Sequence, residues 1–183
     1  MTLARVMLPR RSFFCFAAGA AVTLVVKPDM SSAATANTRT LALHSQASGE
    51  LFVGPYVENG KYLPDALSEI DHLLRDRHNN HVHRIDVKLL DVLNAMRQRT
   101  NYQGAIEVLC GYRSVETNKM LRKQNKHVAK DSLHMKGMAA DIRLFDEPLN
   151  VAYKAALDLK AGGVGYYPKR GFLHLDVGPV RTW

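Results

Sequence analysis

The chain has 183 residues, of which 46% are hydrophobic. That length supports one domain with its own apolar core and is short for two. The formal charge is +8, but four basic residues and one acidic residue lie in the first 36 positions, which leaves 21 basic and 16 acidic residues, or +5. An excess of this size favours anionic partners in general. It does not indicate a nucleic-acid surface, because no run of Arg and Lys with interleaved aromatic residues is present.

The two cysteines, Cys15 and Cys110, limit the chemistry of the chain. Cys15 falls in an apolar stretch near the N-terminus, so a domain that begins after this stretch keeps a single thiol. An internal disulfide and a zinc site built from cysteine pairs are therefore excluded for that domain.

Residues 1–36 have the composition of an export signal. Arg10 and Arg11 precede an apolar run at 13–26, which is too short to span a membrane as a mature helix, and small residues at 34–36 have the form of a cleavage site. The paired arginines resemble the twin-arginine signal for export of folded proteins, and an ordinary secretory signal is the alternative. Either signal predicts a periplasmic location, and an uncleaved leader would leave a membrane anchor.

The first elements after the leader are expected to be a β-hairpin and two helices. Alternating, β-rich residues at 41–57 flank a turn at Ser48 and Gly49. Pro64 can begin a helix whose apolar residues share one face, and Asp86 can cap a second helix with the same property.

The remaining residues alternate between strands and helices. We expect a buried strand at 106–110, a polar helix at 116–126, a strand at 139–144, a helix at 150–160 and two strands at 164–167 and 172–177 around a turn at 168–171. The sequence therefore predicts an α+β fold with a central antiparallel sheet flanked by helices, in one domain at 37–183.

Two short segments carry the residues that are best suited to bind a metal ion. His134 and Asp141 are separated by a glycine and small residues, which allow a tight turn to face both side chains toward one ion. His174 and Asp176 lie in a predicted strand, where the two-residue period places them on one face. Two histidines and one aspartate fit a catalytic zinc that keeps one position open for water. From spacing alone the signal is weak, because eight histidines make chance pairs common.

The surrounding residues make the pattern specific. Segment 132–141 reads Ser-x-His-x-x-Gly-x-Ala-x-Asp, which resembles the signature of the zinc peptidases that include D-Ala-D-Ala dipeptidases and carboxypeptidases, phage endolysin peptidases and the hedgehog fold. The closer resemblance is to murein endopeptidases of the MepK (YcbK-like) type. It covers the leader, Gly-Tyr-Arg-Ser at 111–114, Gly-Gly-Val-Gly-Tyr-Tyr-Pro at 162–168 and His-x-Asp-x-Gly-Pro-x-Arg-x-Trp at 174–183.

This resemblance implies one zinc ion per chain, held by His134, Asp141 and His174. It also implies that Arg113 faces the substrate and that peptidoglycan cross-links are hydrolysed, between two diaminopimelate residues and to some extent between D-Ala and diaminopimelate. Because a guanidinium suits carboxylates and oxyanions, we expect Arg113 to bind substrate and assist catalysis.

One departure concerns the catalytic base. Relatives in the wider group place it two or three residues before the last zinc ligand, where this chain has Phe172 and Gly171, and neither can accept a proton. Asp176 is our candidate base, with orientation of a zinc ligand as the alternative role. Ser132 either binds substrate or a ligand, or caps the turn.

Other residues are expected to have lesser roles. The histidines at 72, 78, 81 and 83 favour a solvated loop over a second metal site. His127 is close enough in sequence to reach the site. We expect Tyr166 and Tyr167 to line the cleft, and Trp183 to pack into the core.

Three functions therefore compete. The first is a periplasmic zinc endopeptidase acting on peptidoglycan, with no nucleic-acid partner, no membrane span after signal removal and an undetermined oligomeric state. The second is a carboxypeptidase or dipeptidase of the same fold, and the third is a non-catalytic zinc-containing murein-binding protein. A dipeptidase needs a closed pocket, whereas cross-linked strands need a groove open at both sides.

Overall fold

An eight-stranded sheet forms the centre of residues 37–183, the part of the chain that this computed structural model describes; the predicted signal at 1–36 lies outside it. Its strands are β1 (Arg39–Ser45), β2 (Leu51–Glu58), β3 (Lys61–Tyr62), β4 (Ile106–Cys110), β5 (Ala139–Arg143), β6 (Gly163–Tyr167), β7 (Phe172–Asp176) and β8 (Arg181–Thr182). Their spatial order is β3-β2-β1-β4-β5-β7-β6-β8.

The sheet is mixed, which corrects the expectation of an antiparallel sheet. β1 pairs with β4 in parallel, and β6 pairs with β8 in parallel, while the other neighbours are antiparallel. The chain between β1 and β4 contains β2, β3 and two helices, which provide the long connection that a parallel pair requires. β3 and β8 have two residues each, too few for a period to show in the sequence.

The helices are α1 (Pro64–Leu73), α2 (Val87–Thr100), α3 (Val115–Gln124) and α4 (Leu149–Leu159), so the α+β class is confirmed. The cap of α2 is the expected one, since the Asp86 carboxylate accepts a hydrogen bond from the Lys88 amide at 2.9 Å. Among residues 37–183, no helix has the length and apolarity that crossing a bilayer requires.

Helices α2 and α4 pack on one face of the sheet. Leu43 of β1, Ile142 of β5 and Leu173 of β7 are fully buried in one apolar cluster with Leu89 and Leu93 of α2. Because side chains alternate along a strand, the neighbours of these core residues point to the opposite face, which we call the outer face. The outer face carries the candidate site.

A 3₁₀ turn at Leu133–Lys136 leads into β5 and ends at Gly137. Gly137 has φ +66°, and a Cβ atom there would clash with the Arg84 carbonyl oxygen. Its own carbonyl accepts a hydrogen bond from the Asp86 amide at 2.9 Å. The signature glycine therefore allows both a left-handed backbone and a close approach to the segment before α2.

We predict that Gly137→Ala lowers the free energy of unfolding by about 3 kcal/mol or more, since left-handed strain adds to a backbone clash. Gly49→Ala is the matched control, because Gly49 also has positive φ, +73°, but has open space around it. The control should lose about 1 kcal/mol. Urea denaturation followed by circular dichroism measures both, and equal losses would contradict the role of the clash.

Candidate metal centre and its cleft

Strand pairing brings two of the predicted metal donors together on the outer face. Asp141 of β5 lies directly opposite His174 of β7. Gly165 of β6 lies on the other side of His174, and Cys110 of β4 lies opposite Asp141 because the β4–β5 register shifts after position 108. Directly opposed residues point to the same face, so these four positions form one row across the sheet.

His134 reaches this row from the 3₁₀ turn and is buried, with 3% of its surface exposed. Its Nδ1 lies 2.8 Å from the carbonyl oxygen of Gly111. A carbonyl only accepts, so Nδ1 carries the proton and donates, which leaves Nε2 of the neutral ring free as a donor atom for a metal. The hydrogen bond thus fixes both the tautomer and the direction of the imidazole.

The three predicted donor atoms form a nearly equilateral triangle. His134 Nε2 lies 3.2 Å from His174 Nδ1 and 3.3 Å from Asp141 Oδ1, and the latter two atoms are 3.0 Å apart. Tetrahedral zinc with bonds of about 2.0–2.1 Å requires ligand separations of roughly 3.3–3.4 Å. The two imidazoles and the carboxylate therefore fit a zinc ion, both in donor chemistry and in spacing.

The electrostatics of the triangle also favour a cation. Burial lowers the pKa of His134, but the charges of Asp141 and Cys110 and their hydrogen bonds to the ring together raise the pKa to about 10. Burial raises the pKa of Asp141, whereas His134 and His174 hold it well below its usual range. The carboxylate therefore stays charged in a largely buried position, which favours a cation beside it.

Asp176 is saturated with hydrogen bonds, and its side chain has no exposed surface. Its Oδ1 accepts from the amides of Gly163 and Gly178 at 3.0 and 2.9 Å and from Arg181 Nη1 at 3.0 Å. Its Oδ2 accepts from Arg181 Nη2 at 2.6 Å and faces Nε2 of His174 at 3.0 Å.

This network argues against Asp176 as the catalytic base and favours the alternative role. Burial raises the pKa of Asp176, but its bonds to His174 and Arg181 lower the pKa well below the ordinary value. A carboxylate that weakly basic, with both oxygens engaged, is poorly suited to accept a proton from water. Its contact with Nε2 of His174 instead turns Nδ1 toward Asp141 and His134.

Cys110 lies beside the triangle and was not singled out by the sequence analysis. Its Sγ, a ligand atom of His134 and one of Asp141 lie within 4.8 Å of one another. Burial raises the pKa of the thiol, but His134 outweighs burial and lowers it. No sequence signal indicates this position, because the register shift that turns Cys110 toward Asp141 is a tertiary feature.

Two adjoining cavities lie at the triangle and share a wall. The larger, of about 750 Å³, contains the three donors, and the smaller, of about 360 Å³, lies on the side of α3. The following residues line both: Arg113, Asn125, Val128, Asp141, Arg170 and Phe172. Both cavities are lined in part by exposed residues, and the shared residues join them beside Asp141 into one groove.

Most of the other predicted site residues lie in the larger cavity. Ser132, Tyr166 and Tyr167 line it, as does His127, which is exposed. The side chain of Ser132 makes no capping hydrogen bond to the 3₁₀ turn. Arg113 lines both cavities, and the sequence placed it correctly directly after β4.

Trp183 does not pack into the core, contrary to expectation. It is 48% exposed and lies in the wall of the larger cavity. Its ring centroid is 5.2 Å from that of His174, and its Nε1 donates a hydrogen bond to the Tyr167 hydroxyl at 2.7 Å. A Cβ on Gly165 would approach the indole to 2.7 Å, so the glycine provides the space that the ring occupies.

The histidines at 78, 81 and 83 are exposed in the loop after α1, as expected, whereas His72 is exposed at the end of α1 itself. His72 lies 3.6 Å from a carboxylate oxygen of Glu50, and His83 stacks on Tyr112 with ring centroids 4.6 Å apart.

Comparison with known proteins shows the family of the chain. A family model described as peptidoglycan L,D-endopeptidase MepK matches residues 33–183. The chain belongs to this family. A Haemophilus influenzae relative named "Probable peptidoglycan L,D-endopeptidase MepK" is 38% identical over 168 residues, which cover 90% of each chain. The peptidoglycan L,D-endopeptidase MepK of Escherichia coli strain K12 is 35% identical over 167 residues, 91% of each chain. The chain is accordingly an enzyme of a metallopeptidase family.

We predict that Gly165→Ala displaces the indole of Trp183. Trp183 is the single tryptophan of the sequence, so intrinsic fluorescence reports on this position alone. The variant should show red-shifted emission and stronger quenching by acrylamide, because the ring moves further into water. Gly54→Ala is the control, since a Cβ there meets its nearest side-chain atom at 3.9 Å. Identical spectra for Gly165→Ala and the unaltered protein would contradict the contact.

Proposed function

We propose that the chain is a zinc-dependent endopeptidase that hydrolyses peptide cross-links of peptidoglycan during remodelling of the cell wall. The observation that carries the proposal is the triangle of His134, Asp141 and His174 in the larger cavity, which adjoins the smaller one at Asp141. Membership of the MepK family and the names of the relatives, L,D-endopeptidases, support it.

We propose these three residues as the ligands of one zinc ion per chain. A three-ligand zinc site supplies a Lewis acid for the scissile carbonyl and the attacking water. The chain's own residues hold that geometry. Gly111 orients His134, and Asp176 orients His174. Such outer hydrogen bonds fix the rotamer and tautomer of metal-binding histidines.

Arg113 is proposed as the residue that binds a substrate carboxylate or the developing oxyanion. It lines both cavities, and no carboxylate of residues 37–183 forms an ion pair with it. A guanidinium without a counter-ion at the centre of a groove is available for an anion. Ser132 is proposed to contact substrate from the same wall.

The shape of the groove favours an endopeptidase over a carboxypeptidase or dipeptidase. A substrate that is cross-linked to a second peptide must extend past the metal in both directions. Asp141 lines both cavities, and each cavity also has exposed lining residues, such as His78 in the smaller and Lys169 in the larger. We propose that the bond cut joins two diaminopimelate residues, with D-Ala to diaminopimelate as a second substrate.

The proposed location is the periplasm, where the peptidoglycan substrate lies. The composition of residues 1–36 supports export, with the twin-arginine route as our proposal for the pathway.

The direct test is cleavage of purified muropeptide dimers with defined 3-3 or 4-3 cross-links. We predict zinc-dependent conversion of dimers to monomers, detected by mass spectrometry, and a loss of more than about 100-fold in rate for His134→Ala. His81→Ala, which removes an exposed histidine away from the donors, should retain full activity. Release of D-Ala from intact dimers would indicate a carboxypeptidase, and absence of any product would favour the murein-binding alternative.

A second prediction separates the two roles considered for Asp176. Asp176→Asn should weaken zinc affinity by about 10–100-fold, because His174 loses the charged group that orients it. Competition with a chromophoric chelator measures this affinity. Asp158→Asn is the control, as it removes an exposed carboxylate paired with Arg99 at 3.4 Å. Unchanged zinc affinity with a collapse of kcat would restore Asp176 as the catalytic base.

A further inference from the structure

The side-chain amide of Asn118 connects two parts of the groove. Asn118 lies on α3 with 2% of its surface exposed. Its Nδ2 donates to the carbonyl oxygens of Ala129 and Lys130 at 3.1 and 3.3 Å. Only the NH₂ end can donate to two carbonyls, so the orientation of the amide is determined, and Oδ1 points toward Arg113.

Oδ1 of Asn118 accepts a hydrogen bond from Arg113 Nη1 at 3.2 Å. The other contacts of this guanidinium are weak. Nη2 donates to Cys110 Sγ at 3.5 Å, and the buried Nε has no partner within the described part of the chain. Asn118 is thus the strongest acceptor that the protein offers to Arg113, and it bonds one of the guanidinium's nitrogens while leaving the charge unneutralised.

A neutral acceptor suits a residue that has to bind an anion. An acidic side chain at this place would form an ion pair with Arg113 and compete with a substrate carboxylate. The amide instead restrains the guanidinium, so less rotamer entropy is lost when the substrate binds. Its NH₂ group holds the backbone of residues 129 and 130. Ala129 and the preceding Val128 lie in the wall of the larger cavity.

We propose that Asn118 is a positioning residue for substrate recognition: it aims Arg113 at a carboxylate of the murein peptide and fixes the adjacent wall of the groove. This inference rests on the proposed function, because the carboxylate belongs to the cross-linked peptide. It assigns recognition of that carboxylate to the half-buried Arg113 and the buried Asn118, and not to the exposed cations Lys169 and Arg170.

The test compares two muropeptide dimers, one with free diaminopimelate carboxylates and one in which they are amidated. The unaltered enzyme should prefer the free acid. Asn118→Ala should raise KM for the free acid by about tenfold, with kcat and zinc content changed less than about twofold, and should reduce the preference over the amide. Asn118→Asp, which keeps the size of the side chain, should also reduce the preference because the introduced carboxylate pairs with Arg113.

A double-mutant cycle shows whether Asn118 acts through Arg113. Arg113→Ala should abolish the preference, and adding Asn118→Ala should then raise KM by less than about twofold. Asn94→Ala removes another buried amide, on α2, and should keep the preference even if it is less stable. Independent, multiplying effects of the two substitutions, or an unchanged preference in both Asn118 variants, would overturn the inference. Failure of the unaltered enzyme to cut either dimer would instead overturn the proposed function.

Discussion

The register between β5 and β7 is the constraint on which the site depends. It places Asp141 opposite His174 and Ala139 opposite Asp176, so two proposed ligands and the carboxylate that contacts His174 lie on one face. A shift of one residue in either strand would turn its polar side chains toward α2 and α4. The apolar neighbours Ile142 and Leu173 prevent this shift, because both are fully buried on the helix side. Packing of the core therefore fixes the positions of the polar side chains on the outer face.

A second constraint is the burial of the charged Asp176 carboxylate. Asp176 has no exposed surface, yet two amides, one imidazole and one guanidinium satisfy its oxygens. An unpaired carboxylate in such a place would be strongly unfavourable. A side chain at Gly163 would clash with both Asp176 and Arg181, so the absence of a Cβ there makes this pairing sterically feasible. The glycines of β6 thus leave space for side chains from β7 and from the C-terminal residues.

Much of this architecture was accessible from the sequence. The hairpin, the helices and the longer strands follow from residue periods and caps, and their bounds agree within about two residues. The spaced signature pointed to His134, Asp141 and His174, and the fold brings these three side chains together, while their role as metal ligands stays a prediction. Features set by tertiary contacts were missed: the parallel β1–β4 pair, the position of Cys110, the exposed place of Trp183 and the saturation of Asp176. A sequence shows that Asp176 shares a face with His174, but not that Arg181 and two backbone amides occupy its lone pairs.

The turn between β6 and β7 is built separately from the metal donors. Pro168–Arg170 forms a short 3₁₀ turn that ends at Gly171, with φ +68°, and Lys169 and Arg170 line the groove without contacting the donor triangle. The strands that it joins are fixed by their own pairing. Insertions or charge changes in this turn can therefore alter the peptides accepted while the metal site stays intact. Divergence of substrate preference within such a scaffold would accumulate in this turn first, and a library randomised at these positions offers a route to peptidases with new wall specificities.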